Sequence, residues 1–205
     1  MINVKENFLA ILGLRYQWQD WHRNLADSFF SDNLTDQIIR DLPRGVGKTT
    51  YLETLAFCLA LYYEGVQVGL VSYRNHSLII SDLEDLKQWI YPGMNSVYNS
   101  QSYRLKVPLR QYLSNIYFLD AKKPPSVYCG RRFDFLLHDD IQNPEHLMDY
   151  KKLLTDCFYL DGSTNAAGLN SKQICLYTSK ENEKKTFDYL YWEHEAELQN
   201  LEGVI

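Results

Sequence analysis

The chain of 205 residues has no apolar run approaching the roughly 20 residues that a membrane span requires. Its start, Met1 to Trp21, carries only a short apolar stretch and no small-residue cleavage site, which excludes a secretory signal of the usual kind. Cysteine is scarce: Cys58, Cys129, Cys157 and Cys175 lie far apart with no C-x-x-C spacing, so they read as small hydrophobes in a reducing compartment. Basic residues are not in excess. The formal net charge is -5, which by itself argues against a polyanion partner. Local basic clusters do occur, at Arg104, Lys106 and Arg110, at Lys122 and Lys123, and at Arg131 and Arg132, and each taken singly reads as a solvated rim. No repeat or low-complexity tract is found, and His194 to Leu198 lacks the second histidine of an H-E-x-x-H zinc site. The expectation is a soluble, cytosolic protein.

What is present is enough apolar material for one ordinary core. Hydrophobic residues make up 45% of the chain, and 16 tyrosines and 4 tryptophans fill the core and its rim. Short β-rich runs alternate with longer helical patterns, the signature of an α/β sheet with crossovers. A helical entry is marked by Trp18, Trp21, Leu25 and Phe29 at spacings of three and four. A strand over 37–42 then leads into Pro43-Arg44-Gly45-Val46-Gly47-Lys48-Thr49-Thr50. The spacing of Leu52, Leu55, Ala56, Leu59 and Tyr63 predicts a helix over 48–64 with these residues on one face and Gly65 as its stop. Further expectations are a strand over 67–73, a helix over 77–91 ended by Pro92-Gly93, an ambiguous stretch through Pro108, and strands over 112–119 and 133–137. A helix over 145–160, a strand over 173–177 and a closing helix carrying Phe187, Leu190, Tyr191 and Leu198 complete the pattern.

The sharpest chemical signal is the loop Gly45-Val46-Gly47-Lys48-Thr49 between a strand and a helix. There the backbone N–H groups and the helix N-terminus converge on one spot, which suits a phosphate. In this reading Lys48 reaches the β- and γ-phosphates of a nucleotide, the Thr49 hydroxyl ligates Mg²⁺, and Gly47 lets the backbone approach the anion closely. The first glycine of G-x-x-x-x-G-K-[ST] is absent, and Leu42 stands in its place. About ninety residues later an apolar strand delivers His138-Asp139-Asp140 at its C-terminal end, where open α/β sheets place ligands. Asp139 is the candidate for the Mg²⁺ shell and Asp140 for the carboxylate that orients or deprotonates the attacking water, with Glu145 as the fallback. A metal triad that includes His138 is disfavoured, because consecutive strand residues point to opposite faces.

The stretch Arg44 to Thr50 resembles the deviant Walker A of tailed-phage terminase large subunits, R-x-x-G-K-[ST], which also dispenses with the first glycine. Gly130-Arg131-Arg132-Phe133-Asp134 and the apolar strand up to Asp139-Asp140-Ile141 resemble that family's Walker B stretch. Leu14-Arg15-Tyr16-Gln17-Trp18-Gln19 is similar to its adenine-reading segment, with Gln17 preferred over Gln19, and Thr178-Ser179 is similar to its coupling motif. The resemblance runs from about Leu12 to Leu198. It implies a P-loop NTPase fold of the additional-strand class, RecA-like, with a mostly parallel sheet flanked by helices. It also implies ATP and Mg²⁺ as ligands, a nucleotide held by Gln17, Arg44, Gly45, Val46, Gly47, Lys48, Thr49, Thr50 and Thr178, and Arg44 acting on the γ-phosphate or as an arginine finger in cis. The partners it implies are double-stranded DNA, a portal, a small terminase subunit and further copies in a ring, working in the host cytoplasm. Residues 1–205 are expected to form a single ATPase domain, with 1–35 as a helical entry segment. The family's nuclease domain is not expected in this sequence, which reads either as an excised domain or as an ATPase that works with a separate nuclease. Two other readings stay open: another nucleic-acid-dependent ATPase, helicase-like or from a defence system, and a nucleotide-binding assembly module with weak hydrolysis.

Overall fold

A computed structural model describes residues 3–17, 19–31, 37–42, 45–140, 145–154 and 171–178. Two helices, α1 (Val4–Arg15) and α2 (Asp20–Phe30), lie within the entry segment expected to be helical over 1–35, where the residue spacing marks the second. Then come β1 (Gln37–Asp41), α3 (Lys48–Tyr62), β2 (Gln67–Ser72) and α4 (His76–Ile90). The stretch that the sequence left ambiguous is a hairpin, β3 (Asn95–Asn99) and β4 (Ser102–Lys106). After it follow β5 (Asn115–Asp120), a 3-10 turn at Pro125–Tyr128, β6 (Phe135–Asp139), α5 (Glu145–Lys151) and β7 (Lys172–Tyr177). The strand expected over 112–119 starts later, at Asn115, and the strand expected over 133–137 runs on to Asp139.

Of the helix expected over 145–160, residues 155–160 lie outside the described residues, and the described helix ends at Lys151. Leu153 and Leu154 are buried instead against the start of β6, where the Phe133 amide donates to the Leu153 carbonyl at 2.9 Å and Leu154 bridges Phe133. The closing helix expected around Phe187 to Leu198 lies outside the described residues, as do Trp18, Pro43, Arg44 and Ser179.

The seven strands form one sheet in the order β1-β7-β6-β2-β5-β4-β3. All pairings from β1 to β5 are parallel, and only the β3–β4 and β4–β5 pairings are antiparallel. Strand β7 is inserted between β1, which feeds the glycine loop, and β6, which carries the paired aspartates. This is the additional strand that defines the class anticipated above.

Side chains alternate across the sheet as the period of two requires. Ile38, Val68, Leu70, Ile116, Phe118, Phe135, Leu137, Ile174 and Leu176 face α1 to α4, while Ile39, Val71, Leu119, Leu136, Cys175 and Tyr177 join Leu147 and Tyr150 of α5. Gly69 faces the second layer so tightly that a Cβ there would sit 2.7 Å from a Leu136 methyl and 3.2 Å from Leu119 and Phe133.

Helix α3 is not the one-faced amphipath that its leucine spacing suggests, since every residue from Tyr51 to Leu61 is buried. It is covered by the sheet, by α4 and by α1, whose Phe8 meets Tyr51 edge-on at 5.0 Å. A helix apolar all round requires such a central position. Its C-terminal carbonyls are satisfied by Arg110, which donates to Ala60 at 3.1 Å, Leu61 at 2.5 Å and Tyr63 at 2.7 Å. Arg110 is thus a helix cap. Arg104 donates to Asn115 at 2.6 Å, and Arg131 lies over the Tyr117 ring at 5.1 Å. Three members of the basic clusters therefore serve the fold, whereas Lys106, Lys122, Lys123 and Arg132 are exposed. No described helix is long and apolar enough to cross a membrane.

Candidate active site

Parallel strands bring their C-terminal ends to one edge, and the candidate residues collect there. The loop leaving β1 turns through Gly45 and Gly47, with φ of 77° and 86°, a left-handed conformation that residues with a Cβ adopt at a cost. Gly47 is also the N-cap of α3, so the first amides of the helix open towards the loop. A Cβ at Gly47 would lie 3.1 Å from the Tyr16 ring, and the Tyr16 hydroxyl donates to the Gly45 carbonyl. Tyr16 thereby braces the loop from below. The sequence marked it only as the aromatic residue ahead of Gln17.

Lys48, buried except for 9%, extends its ammonium to the Leu42 carbonyl at 3.2 Å and to the Thr178 hydroxyl at 2.5 Å. Thr178 in turn donates to Leu42 at 3.1 Å. The lysine is thus held at the junction of β1 and β7. Next along the helix, the Thr49 hydroxyl lies 2.9 and 3.0 Å from the two oxygens of Asp139. Asp139 is buried, and burial raises its carboxyl above the usual range, while the hydrogen bond from Thr49 opposes the shift. Ser72, at the end of β2, adds a donor to Asp139 at 3.4 Å.

His138 points the other way, as the alternation requires. Its Nε2 meets Gln173 at 3.2 Å, its ring packs on Tyr150, and burial pushes its pKa down to about 3. Asp140 is exposed and has φ of 57°, a left-handed backbone that aspartate tolerates better than most residues. Its carboxylate accepts the Thr178 amide at 2.9 Å, and its own amide donates to Leu176 at 2.8 Å. Lys48, Thr178 and Asp140 thus form one connected chain from the start of α3 across the ends of β7 and β6. Val46 and Thr50 flank the loop and the first turn of α3, Arg44 lies outside the described residues, and the Glu145 side chain is likewise undescribed.

Gln17 is exposed after α1. The amide oxygen of Gln19 is occupied by the Trp21 indole at 2.8 Å. Of the two glutamines, Gln17 has its side chain available.

One charged residue interrupts the buried run of α3: Glu53, four residues beyond Thr49 and 2% exposed. Arg74 and Arg15 face its two oxygens, Arg15 at 3.6 Å, and Asp82 lies 3.0 Å from Arg74. Burial outweighs the arginines and raises the Glu53 carboxyl to about 8. The native state therefore holds this proton more tightly than the unfolded chain, and the stability it contributes is lost as pH rises from the ordinary glutamate range through about 8. Glu53→Gln is expected to remove a slope of up to about 1.4 kcal/mol per pH unit in that window. Urea unfolding at pH steps between 5 and 9 reads this directly. Parallel stability curves for the two proteins would show that Glu53 does not titrate there.

No protein-family profile and no curated protein matches the sequence. Solved structures do resemble it. The large terminase ATPase domain of Thermus phage P74-26 matches 97% of this chain over 94% of its own length, at 14% identity and a TM-score of 0.52. A variant of that domain with one arginine changed to alanine matches 85% of this chain over 69% of its own, at 14% identity and a TM-score of 0.54. The large terminase of the thermophilic bacteriophage D6E, solved in complex with ADP, matches 83% of this chain but only 37% of its own length, at 12% identity and a TM-score of 0.50. At such identities the likeness is one of architecture: this chain has the P-loop, additional-strand α/β fold of phage large terminase ATPase domains.

Proposed function

We propose that the chain binds and hydrolyses ATP with Mg²⁺ and that hydrolysis drives double-stranded DNA into a viral capsid, as the ATPase of a large terminase. The observation that carries the reading is the convergence at one sheet edge of a left-handed glycine turn, a lysine beside it, and a Thr49–Asp139 pair at 2.9 Å. The shared fold and the Walker-like motifs point the same way, and the D6E relative was solved with ADP.

The donor set suits a hard divalent cation, since a hydroxyl and a buried carboxylate already lie side by side with oxygen atoms only. Thr49 and Asp139 would hold Mg²⁺, which supplies charge neutralisation at the phosphate oxygens when bound. The amides of Gly45, Val46, Gly47 and Thr50 cradle the phosphates, and Lys48 turns from Leu42 and Thr178 to the β- and γ-phosphates. Asp140 orients water for in-line attack, and Arg44 offers a planar fork to the charge that develops. Gln17 reads adenine through its amide donor and acceptor. Loss of the γ-phosphate releases Thr178, which touches both Lys48 and Asp140 and so reports the state of the site to β7. Portal, small subunit and neighbouring copies in a ring are the partners of this reading, in the host cytoplasm, with DNA cutting left to a nuclease elsewhere.

A second reading, a nucleotide-binding assembly module with weak hydrolysis, draws on Asp140, whose short carboxylate is tied to the Thr178 amide. Steady-state hydrolysis with Mg²⁺, with and without double-stranded DNA, separates the two. Turnover stimulated by DNA is expected of the motor. ATP binding without turnover, unchanged by DNA and by Asp140→Ala, would favour the module.

A further inference from the structure

The contacts of Asp139 and Glu53 close into a ring. Thr49 meets Asp139, and Asp139 accepts from Ser72 at 3.4 Å. Ser72 Oγ accepts the backbone amide of Arg74 at 3.1 Å, which directs its one proton towards Asp139. The Arg74 guanidinium returns to Glu53 on α3, one helical turn from Thr49 and on the same face of the helix. The same nitrogen reaches Asp82 of α4 at 3.0 Å. Arg15 of α1 closes on Glu53 at 3.6 Å and donates to Thr54 at 3.2 Å. Arg74, just past β2, therefore reaches the candidate metal-shell acid through Ser72 and the helix carrying the candidate metal-shell hydroxyl through Glu53.

We propose that Arg74 is a positioning residue of the magnesium site: through Ser72 and Glu53 it sets the separation of Asp139 and Thr49, and it links that separation to α4. This rests on the nucleotide-site reading above. Two oxygen ligands on different elements bind a small cation well only if their spacing is fixed beforehand, and groups behind the ligands supply that fixity. Lysine is not equivalent, because both carboxylates are met by one guanidinium nitrogen and a lysine side chain ends one bond short of that atom on a more flexible stem.

The test is a magnesium titration of the thermal shift produced by ADP, on the wild type, Arg74→Lys and Ser72→Ala, with ATPase KM and kcat measured alongside. The expected result is that both variants need roughly tenfold more Mg²⁺ for half of the shift. Their melting temperatures without nucleotide should stay close to wild type, and the loss of activity should fall on kcat rather than on KM for ATP. Ser72→Ala leaves Glu53, Asp82 and the guanidinium untouched, so it reports even if Arg74→Lys folds poorly. A merely structural role for Arg74 would lower the melting temperature and leave the magnesium midpoint in place in both variants, which overturns the proposal alone. A wild-type chain with no magnesium-dependent nucleotide shift would overturn the site reading and this proposal with it.

Discussion

Lys48→Ala is expected to lower ATP turnover by roughly 10³-fold or more while the protein stays folded. The expectation comes from where the ammonium is held. It sits at the mouth of the glycine loop, where it donates to the Leu42 carbonyl at 3.2 Å and to the Thr178 hydroxyl at 2.5 Å. An ammonium at this place can meet the charge of an incoming phosphate, and such a charge-assisted pairing is stronger than one to a neutral oxygen. Each neutral hydrogen bond lost with it should cost the fold about 1 kcal/mol, and Leu42 keeps the Thr178 hydroxyl at 3.1 Å as a donor. Circular dichroism melting supplies the control for folding. Turnover within a few-fold of wild type, from a variant that melts normally, would remove Lys48 from the chemistry and the phosphate-loop reading with it.

The parts of the fold that were legible are those fixed by short-range physics. Strands β2 and β7 are built on apolar runs, β1 sets Ile38 and Ile39 just ahead of a loop of Pro and Gly, and α4 shows its face through Leu83 and Leu86, so period and punctuation sufficed. The hairpin β3–β4 was not legible because β3 is an exposed sheet edge of Asn, Ser, Val and Tyr, where no buried face imposes alternation. Helix α5 was overextended because the apolar residues Leu153 and Leu154 fit a helix as well as the β-bridge to Phe133 that they make.

At the site, the glycine loop and the paired aspartates announce themselves because their chemistry demands particular residue types at particular spacings. Tyr16, Ser72 and Arg74 do not, since a brace or a relay is defined only by what folding brings beside it. Glu53 did leave a trace. It is the sole charge between Tyr51 and Leu61, and a lone acid in a helix buried on every side must find cations from other elements.

Asp139→Asn separates the two demands placed on that side chain, and its effects should run in opposite directions. In the ligand-free protein the carboxylate is buried, and burial raises its pKa above the ordinary range, so holding it ionised at neutral pH works against folding. An asparagine keeps an oxygen for Thr49 and Ser72 and carries no charge into the core. The melting temperature without nucleotide should therefore stay level or rise. With Mg²⁺ and ATP the same change should lower kcat by roughly 10²-fold or more, because a neutral amide oxygen is a far weaker partner for a divalent cation than a carboxylate. The nucleotide-dependent gain in melting temperature should lose its requirement for magnesium. A variant that melts well below wild type would mean that Asp139 serves the β6 strand first, through Thr49 and Ser72. A variant that keeps its magnesium-dependent gain would move the cation to other oxygens of the sheet edge.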